Sequence, residues 1–453
     1  MGLYTKFIAG CVFPIQERVK HHTTVSARKA LEASQWLKSV ALEEMQLRRL
    51  RGLLAHAEMH VPYYRERFGQ LDFKSEDVRA LSDLQKLPFL TKALIRANTD
   101  ALKSENAQGL ARFNTGGSSG EPLTFYIGSE RVSHDVAAKW RATRWWDVDI
   151  GDPEIVLWGS PIELGAQDRV RLLRDRLMRT RLLPAFEMSE NKLEQFVTEI
   201  RTTRPRMLFG YPSALARIAS YAKNKGVRMN DLNIRVAFVT AERLYPEQRG
   251  IIETVFGCKV ANGYGGRDAG FIAHECPHGG MHITAEDIIV ETIDAQGRST
   301  PPGVAGEIAV THLATKDFPF IRYRTGDVGV LDQSLCACGR GLPLLKEIQG
   351  RTTDFVVASD GTVMHGLALI YVLRELEEIE AFKIVQESID YTRVLVVARA
   401  GFDAATEEAI VRGLRKRLGE MVRITVEKVQ ELPSERSGKM RYVQSHVASV
   451  PVA

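Results

Sequence analysis

The stretch "RMLFGYPSALARIASYAKNKG", residues 206–226, decides the fold class. A short apolar run typical of a strand is followed at once by a run with helical spacing of its apolar residues. The same alternation occurs before and after it, in "EIVLWG" (154–159), "ENKLEQFVTEIRTT" (190–203), "VAFVTA" (236–241) and "YPEQRGIIETVFG" (245–257). Such alternation predicts βαβ units and an α/β fold with a mostly parallel sheet. In the last helix we expect Pro246 at the start and Gly257 just past the end.

The pattern changes after about residue 350, which predicts a second domain. "RVLVVARA" predicts a strand, the residues after it predict a helix with one apolar face, and "RITVEKV" predicts another strand. The predicted face is formed by Val411, Leu414, Leu418 and Met421. We therefore expect an N-terminal domain over 1–350, with a helical start at 1–110 and a core at 111–350, and a small α+β domain over 351–453.

Composition excludes several classes of protein. The chain has 453 residues, 44% of them hydrophobic and 26% charged, as in an ordinary globular protein. Its 61 basic and 56 acidic residues give a net charge of +5, and they are interspersed, so nucleic acid is not an expected partner. The apolar run from Phe7 to Ile15 is about half of a bilayer span. We expect a cytoplasmic protein without stable membrane insertion, and leave open a short amphipathic membrane contact.

The helical start is predicted from residues 27–60. An apolar face is formed by Leu42, Met45, Leu50, Leu53 and Leu54. "HVPYYRERF" closes this run at Pro62.

A glycine-rich loop lies in "FNTGGSSGEPLTFY", residues 113–126. Glycines let consecutive backbone N–H groups point into one concavity, and the hydroxyls of Thr115, Ser118 and Ser119 add donors, which suits a polyphosphate. Glu121 and Pro122 stand where a mononucleotide P-loop has its lysine and magnesium-binding hydroxyl, so that family is excluded. The alternative is a mobile surface turn.

Five further motifs accompany this loop in a fixed order. They are "VTAERL" (239–244), "NGYGGRDAG" (262–270), "FIRYRTGDVG" (320–329), "IQGRTTDFV" (348–356) and "LPSERSGKMRYV" (432–443). In this order the chain resembles the adenylate-forming enzymes over nearly its whole length. The resemblance is closer to the phenylacetate-CoA ligase branch and its capsule-polysaccharide-associated relatives, whose openings are similar to "HAEMHVPYYRERF" (56–68).

The resemblance implies both a fold and an activity. The fold has a large adenylation domain with mixed or parallel sheets flanked by helices, and a small domain that rotates on a hinge. The reaction joins a carboxylate to the α-phosphate of ATP, releases pyrophosphate, and then transfers the acyl group from AMP to a thiol or an amine. Protein groups in such a reaction mainly position the reactants and neutralise charge.

The resemblance also assigns nucleotide-binding residues. The loop formed by Thr115, Gly116, Gly117, Ser118, Ser119 and Gly120 covers the β- and γ-phosphates. Other predicted binding residues are Ala241, Glu242, Asn262, Gly263, Tyr264 and Gly265, with Glu242 near adenine and magnesium and the Tyr264 ring on adenine. Asp327 is expected to accept both ribose hydroxyls, which suits a carboxylate, and Arg351 to contact ribose or phosphate.

Two catalytic residues are implied, together with a hinge. Asp268 stands where relatives usually have a glutamate that reaches magnesium, but Arg267 departs from the small hydroxyl residue usual there. Lys439 is implied as the lysine that follows the growing charge during adenylation. The hinge is either Thr353 or Asp354.

The acceptor and the substrate stay less defined. Gly361 is placed where a pantetheine arm passes, or is an ordinary turn glycine. We expect the acid pocket around "GYPSAL" (210–215) and "VTAE" (239–242), with Tyr211 and Phe238 as apolar walls.

The cysteines predict a metal site. Cys276, His282, Cys336 and Cys338 supply three thiols and an imidazole, the set that zinc takes in a closed structural site. His278 is a competing nitrogen ligand, and relatives in this branch have the same arrangement of cysteines and histidine. The alternative is reduced structural cysteines.

Three functions follow. The first is an ATP- and magnesium-dependent acid:CoA ligase, acting on an aryl or arylacetic type of acid, with structural zinc. The second is an adenylating ligase that transfers the acyl group to an amine, such as an amino sugar or amino acid, or to a carrier protein. The third is a nucleotide-binding regulatory protein, against which Lys439 and Asp327 argue. Homodimerisation is left open.

Overall fold

The computed structural model describes residues 2–114, 123–158, 169–185, 188–351, 355–432 and 441–447. An N-terminal rod consists of α1 (Leu3–Phe7), a π-helical turn (Ile8–Val12) and α2 (Phe13–Val19). The other α-helices are α3 (Thr24–Ser34), α4 (Ser39–His60), α5 (Pro62–Gln70), α6 (Lys92–Ala97), α7 (Ser129–Arg144), α8 (Arg169–Met178), α9 (Glu190–Thr203), α10 (Pro212–Asn224), α11 (Pro246–Phe256), α12 (Leu367–Arg374) and α13 (Ala404–Leu418).

The strands of the large sheet are β3 (Glu154–Trp158), β4 (Thr180–Pro184), β5 (Met207–Gly210), β6 (Val236–Thr240), β7 (Lys259–Gly266), β8 (Gly270–Glu275), β9 (Met281–Ile283), β10 (Ile288–Ile293), β11 (Ala305–His312), β12 (Tyr323–Asp332) and β13 (Leu344–Arg351). Before them, β1 (Ala111–Asn114) and β2 (Thr124–Ile127) form a separate antiparallel pair. After them come β14 (Phe355–Val357), β15 (Val363–His365), β16 (Ile379–Ser388), β17 (Tyr391–Ala398), β18 (Arg423–Lys428) and β19 (Val443–Ser445).

The large sheet has 11 strands in the order β10-β11-β12-β13-β9-β8-β7-β6-β5-β3-β4. Strands β4, β3, β5, β6 and β7 are parallel, and the rest of the sheet is antiparallel. The parallel half is the part whose strand–helix alternation is visible in the sequence. The predicted α/β fold is confirmed, and so are Pro246 and Gly257 as the boundaries of α11, Gly257 having a φ of +65°. The expectation of a mostly parallel sheet was wrong: among the described strands only four of the ten pairs in this sheet are parallel, because the strands after β7 are joined without crossover helices.

Both faces of the parallel half are covered by apolar side chains. Helices α9, α10 and α11 pack on one face, around strand residues such as Leu208, Ala237 and Val239. Phe209 and Phe238 lie on the other face with residues of α7 such as Ala142. Because parallel strands are buried on both sides, their carboxyl ends are the accessible edge at which ligands bind.

The helical start differs from the prediction in one respect. The single helical run over 27–60 is divided into α3 and α4 by residues 35–38, where Gly341 of a later loop donates its backbone N–H to the carbonyl of Gln35. Pairs between basic side chains and two buried carboxylates bind α4 and α7 to the antiparallel half. The pairs are Arg141–Glu286 (2.5 Å), Arg49–Asp287 (2.7 Å) and His134–Asp287 (2.8 Å).

The C-terminal domain has a four-stranded sheet in the order β18-β17-β16-β19, with α12 and α13 packed on it. Strand β17, helix α13 and strand β18 form the predicted βαβ unit, since β17 and β18 are parallel. The prediction for Met421 was wrong: α13 ends at Leu418, and Met421 is 93% exposed. Gly419 follows with a φ of +125°, a conformation that ends the helix before a fourth apolar contact can form.

Strand β13 ends at Arg351 and the next described strand begins at Phe355, so the boundary between 350 and 351 stays a prediction. Within the described ranges, no helix combines the length and the apolar character that crossing a bilayer requires.

Candidate active site

The motif "VTAERL" turns the chain at the carboxyl end of β6. Thr240, the last residue of β6, pairs with Gly263 of β7, so this motif and "NGYGGRDAG" lie side by side. Ala241 then takes a φ of +70°, which a residue with a Cβ adopts at a cost of about 1 kcal/mol or more. The Oε2 atom of Glu242 accepts a hydrogen bond from the backbone N–H of Ser213, 3.2 Å away, at the start of α10. Backbone strain at Ala241 therefore marks a turn whose conformation is held by its surroundings.

Tyr264 and Asp327 lie in contact, although 62 residues separate them in sequence. The hydroxyl of Tyr264 on β7 donates a hydrogen bond to Oδ2 of Asp327 on β12, at 2.9 Å. Burial, and then the neighbouring charge of Asp327, raise the pKa of Tyr264 well above its ordinary value, so its hydroxyl stays protonated. The predicted stacking of the Tyr264 ring on adenine stays a prediction, and the hydrogen bond to Asp327 was not foreseen.

Asp268 is held by a residue that sequence reasoning missed. The buried Tyr323 of β12 donates its hydroxyl to Oδ2 of Asp268 at 2.5 Å. Tyr323 lies in the "RYRTGD" motif, four residues before Asp327, so its position beside a predicted ligand was the available signal. Asp268 and Tyr264 are thus hydrogen-bonded to residues of β12 that are four positions apart, which places Asp268, Tyr264 and Asp327 at one site.

The backbone around Asp268 is fixed by a buried arginine. Arg131 of α7 donates from Nη2 to the carbonyl oxygens of Arg267 (3.3 Å) and Asp268 (3.5 Å), and its Nε lies 2.7 Å from Oδ2 of Asp135. Arg131 is 2% exposed. No sequence motif predicts this role of Arg131, because its contact with Asp268 joins residues 137 positions apart. The side chain of Arg267 is exposed, and its predicted relation to a phosphate stays untested.

Two of the predicted binding glycines have packing reasons to be glycine. A Cβ on Gly263 would come within 2.8 Å of the Phe238 ring, and one on Gly265 within 2.2 Å of the carbonyl oxygen of Gly270. Directly before Gly263, the side chain of Asn262 is half-buried, and the backbone N–H of Asn262 donates to Glu275 at 2.8 Å. The glycines therefore let β7 pass close to its neighbours while carrying Tyr264.

The backbone of Arg351 lies beside that of Asp327. Arg351 is the residue of β13 that stands opposite Asp327 of β12. This pairing agrees with its predicted place near ribose or phosphate. The phosphate loop Thr115, Gly116, Gly117, Ser118, Ser119 and Gly120, the hinge candidates Thr353 and Asp354, and Lys439 lie outside the described residues.

Gly361 closes the turn between β14 and β15. Its φ is +85°, and its N–H donates to the carbonyl of Ala358 at 2.9 Å. The positive φ by itself accounts for a glycine at this position. The passage of a pantetheine arm past Gly361 stays a prediction.

The small domain contacts the large one beside Glu242. Tyr442 packs edge-on against Tyr245, with ring centroids 5.4 Å apart, and the guanidinium of Arg374 lies 4.0 Å from the Tyr245 ring. Arg374 also pairs with Glu247 at 2.9 Å. Burial raises the pKa of Tyr442, and the charge of Glu242 acts in the same direction, so Glu242 lies near this contact. In the sequence Tyr442 follows Lys439 by three residues, and Tyr245 directly follows "VTAERL".

The predicted walls of the acid pocket lie in two different hydrophobic clusters. Phe238 is fully buried between the rings of Phe209 and His274, 5.9 and 6.0 Å away. Tyr211 belongs to the opposite face of the sheet and stacks on Trp158, at 4.7 Å. Trp158 also stacks on Phe209 at 5.9 Å and so connects the two sets of rings. The described side chains therefore form a row of stacked rings here, and the acid pocket stays a prediction.

The four predicted metal ligands come together. Cys276 follows β8, His282 is in β9, and Cys336 and Cys338 lie in the loop before β13. Their ligand atoms all lie within 4.8 Å of one another, with 3.6 Å between the sulfurs of Cys276 and Cys336. About 3.7 Å is expected between two sulfurs bound about 2.3 Å from a tetrahedral zinc ion. The donor set and its spacing fit zinc.

The surroundings of the cluster also suit a metal. A Cβ on Gly280 would lie 2.6 Å from the sulfur of Cys336, so only glycine leaves room for that thiol. The Nε2 atom of His282 lies 3.2 Å from the sulfur of Cys338, and its Nδ1 contacts the carbonyl of Leu342 at 3.4 Å, an arrangement that orients metal-binding histidines. His278 is exposed and outside the cluster, whereas His282 is part of it.

Burial sets the protonation of two side chains of the cluster. Burial lowers the pKa of His282 to about 4, so its imidazole is neutral and able to bind metal. Burial raises the pKa of Cys276 to about 12, so its thiolate forms only when a cation compensates the charge. Of the other cysteines, Cys11 is exposed and Cys258 is buried.

Comparison with known proteins identifies a matching family model and several similar proteins. Residues 356–446 match the family model of the CapK C-terminal domain. The chain is 23% identical over 446 residues to Protein CapK of Staphylococcus aureus, covering 97% of this chain and 96% of that protein. It is 27% identical over 404 residues to a phenylacetate-coenzyme A ligase of Pseudomonas putida, covering 85% of this chain and 89% of that one.

Among solved structures, a 2-hydroxyisobutyryl-CoA ligase in the postadenylation state aligns with a TM-score of 0.73 at 21% identity, over 90% of each chain. At this identity the likeness shows the fold. The predicted resemblance to adenylate-forming enzymes is confirmed: the homologues include Protein CapK and phenylacetate-CoA ligases, and the fold is that of an adenylate-forming ligase.

Proposed function

We propose that this homologue of CapK and of phenylacetate-CoA ligases activates a carboxylic acid with ATP, as an acyl-adenylate, and transfers the acyl group to the thiol of CoA. The observation that supports it most is the convergence of Tyr264, Asp268 and Asp327 at one site. These residues come from two motifs and meet only because β7 and β12 belong to one sheet. The site has the groups that a nucleotide and a divalent cation need.

Each residue has a chemical task in this proposal. Asp327 accepts the ribose hydroxyls, and the donated hydroxyl of Tyr264 fixes the orientation of its carboxylate. Asp268, oriented by Tyr323, is a carboxylate ligand for magnesium, which when bound neutralises phosphate charge. Glu242 at the strained turn lies on the side of the site where the small domain docks.

The remaining roles are those that the sequence predicts. Residues 115–120 hold the departing pyrophosphate, and Lys439 stabilises the charge that develops during adenylation. The acid is of the aryl or arylacetic type. The small domain then rotates so that the acceptor reaches the acyl-adenylate, by analogy with the family.

A second acceptor is an amine, such as an amino sugar or amino acid, or a carrier protein. Similarity to Protein CapK over nearly the whole of both chains supports this candidate, since it relates the chain to the capsule-associated side of the family resemblance. Adenylation is common to both candidates, so the residues assigned above serve either one.

The metal cluster has a structural role in the proposal. Zinc at Cys276, His282, Cys336 and Cys338 would hold the turn after β8 and strand β9 to the loop before β13, which continues to Arg351. Four protein ligands leave no open position, so the chemistry does not pass through this ion.

The decisive experiment is ATP–pyrophosphate exchange with a panel of aromatic, arylacetic and aliphatic acids. We expect acid-dependent exchange, and loss of exchange in Asp327→Ala. The acyl-adenylate formed with the best acid is then offered CoA or amines, and the product identifies the acceptor. Absence of exchange with every acid, in protein that binds ATP, would favour the regulatory hypothesis instead.

A further inference from the structure

The N-terminal rod, residues 2–20, is attached to the large domain by one of its faces. Ile8 and Phe13 are buried against Trp140, whose ring meets the Phe13 ring edge-on at 5.1 Å. Thr5 donates its hydroxyl to Asp152 at 2.8 Å, and Glu17 is buried, accepting from Thr24 at 2.5 Å. The rod is therefore a fixed part of the fold.

The opposite face of the rod carries an apolar row exposed to solvent. The row consists of Leu3, Phe7, Cys11, Ile15 and Val19, at intervals of four residues. Leu3 is 87%, Ile15 64% and Val19 73% exposed. Positions four apart drift by about 40° around a pure α-helix. The wider π-helical turn at Ile8–Val12 rotates less per residue, so it keeps the row on one side of the rod.

Besides this row, a pair of exposed apolar side chains in α8 lies next to the rod. The hydroxyl of Tyr4 donates to the carbonyl of Leu177 in α8 at 2.8 Å, which fixes this helix next to the rod. Leu177 and Leu173, one helical turn earlier, are both exposed. Large apolar side chains grouped on one surface mark an interaction site, whereas scattered ones need no explanation.

The charges around this surface are positive. Lys6, Arg18 and Lys20 are exposed on the rod. The one acid of residues 2–20, Glu17, is buried and lies 3.8 Å from Nζ of Lys20, so it compensates part of the charge of Lys20 while Lys6 and Arg18 carry the rest of the border. In α8 and directly after it, Arg176 and Arg179 are also exposed, with Arg179 placed 3.9 Å from the Tyr4 ring. The described surface thus combines an apolar row with a basic border.

We propose that this face, formed by the rod and the described part of α8, binds the surface of a membrane that contains anionic lipid. A helix that lies flat with an apolar face and a cationic border is the form that interfacial helices take. The row enters the boundary between headgroups and acyl chains, and the basic side chains contact lipid phosphates. A second copy of this chain fits the surface less well, because a two-fold contact would place one basic border against another.

Vesicle flotation tests the proposal on the full chain. We expect binding to phosphatidylcholine vesicles with about 30 mol % phosphatidylglycerol, weaker binding to pure phosphatidylcholine, and weaker binding at about 0.5 M than at about 0.1 M salt. The double variant Phe7→Glu/Ile15→Glu replaces two exposed apolar side chains with good helix formers, so the fold is retained. Its vesicle partition should fall by about tenfold or more, since apolar burial is lost and charge repulsion added.

The matched control is Val40→Glu/Met421→Glu, which makes the same replacement at two exposed apolar residues elsewhere. It should bind vesicles like the unmodified chain. The variant Lys6→Gln/Arg18→Gln/Lys20→Gln should lose the preference for anionic vesicles. The proposal is overturned if the unmodified chain does not float, or if the Phe7/Ile15 variant floats equally well. It is also overturned if sedimentation shows a dimer that this variant dissociates while vesicles are not bound.

Discussion

Removal of the Arg374 side chain tests how the small domain docks. Its guanidinium carbon lies 4.0 Å from the centre of the Tyr245 ring and 5.2 Å from that of Tyr442, and Nη1 lies 2.9 Å from Glu247. A cation over an aromatic ring at a partly exposed site contributes about 0.5–1 kcal/mol, and an exposed ion pair up to about 1 kcal/mol. Arg374→Ala should therefore weaken the docked arrangement by about 0.5–2 kcal/mol.

This loss should appear in one half-reaction only. In the proposed mechanism, adenylation would depend on the docked arrangement, in which Tyr442 contacts Tyr245 after the turn that carries Glu242, whereas acyl transfer would require the small domain to leave. A change of about 0.5–2 kcal/mol corresponds to roughly 2- to 30-fold in the docked population. We expect ATP–pyrophosphate exchange in Arg374→Ala to fall by about that factor, and acyl transfer from a supplied acyl-adenylate to be unchanged or faster.

Arg393→Ala is the matched control, because Arg393 is an arginine of the same domain whose ion partners, Glu387 and Glu427, belong to that domain. It should leave both half-reactions unchanged. Equal losses in both half-reactions of Arg374→Ala, or the same loss of exchange in Arg393→Ala, would refute the role of this contact.

Four other outcomes are expected. Cys338→Ser should lose about one equivalent of zinc and lower the melting temperature, measured by metal analysis and thermal unfolding; a metal-free protein of full stability contradicts this. Lys439→Ala should slow adenylation by roughly a hundredfold while acyl transfer from a supplied acyl-adenylate is nearly unchanged, and equal loss in both steps counts against the assignment. Tyr323→Phe removes a hydrogen bond to the charged Asp268, so the magnesium concentration for half-maximal exchange should rise by about tenfold with little change at saturation; an unchanged magnesium dependence would mean that the hydroxyl does not position Asp268. Gly361→Leu should block thioester formation and spare adenylation, with Gly361→Asn, which tolerates a positive φ, as control; intact thioester formation in the leucine variant removes the pantetheine role.

Local patterns predicted much of the fold. The parallel half of the sheet was readable because each strand and helix there is continuous in sequence and the boundaries carry proline and glycine, as at Pro246 and Gly257. Met421 was misplaced because helical spacing does not indicate where a helix ends. The break between α3 and α4 was missed for a related reason, since it is fixed by contact with Gly341, about 300 positions later.

The candidate metal ligands were also predicted partly from the sequence, and the structure supplied the rest. Residue types and their grouping were sufficient to predict Cys276, His282, Cys336 and Cys338, because few side chains bind a soft cation. The choice between His278 and His282 was open in the sequence, since both lie near Cys276. The structure decides it: His282 is buried in β9 opposite Leu344 of β13, which carries it to the two later cysteines.

The sequence by itself determined the types of group in the active site, because a carboxylate, a phenol or a glycine has the same chemistry wherever the chain places it. Only the tertiary structure decided which groups touch. The hydroxyl of Tyr264 on Asp327, the hydroxyl of Tyr323 on Asp268 and the guanidinium of Arg131 beneath Asp268 join residues 55 to 137 positions apart. Such contacts arise from strand order and packing between helix and sheet, which fix relative positions through many small long-range interactions that no local pattern contains.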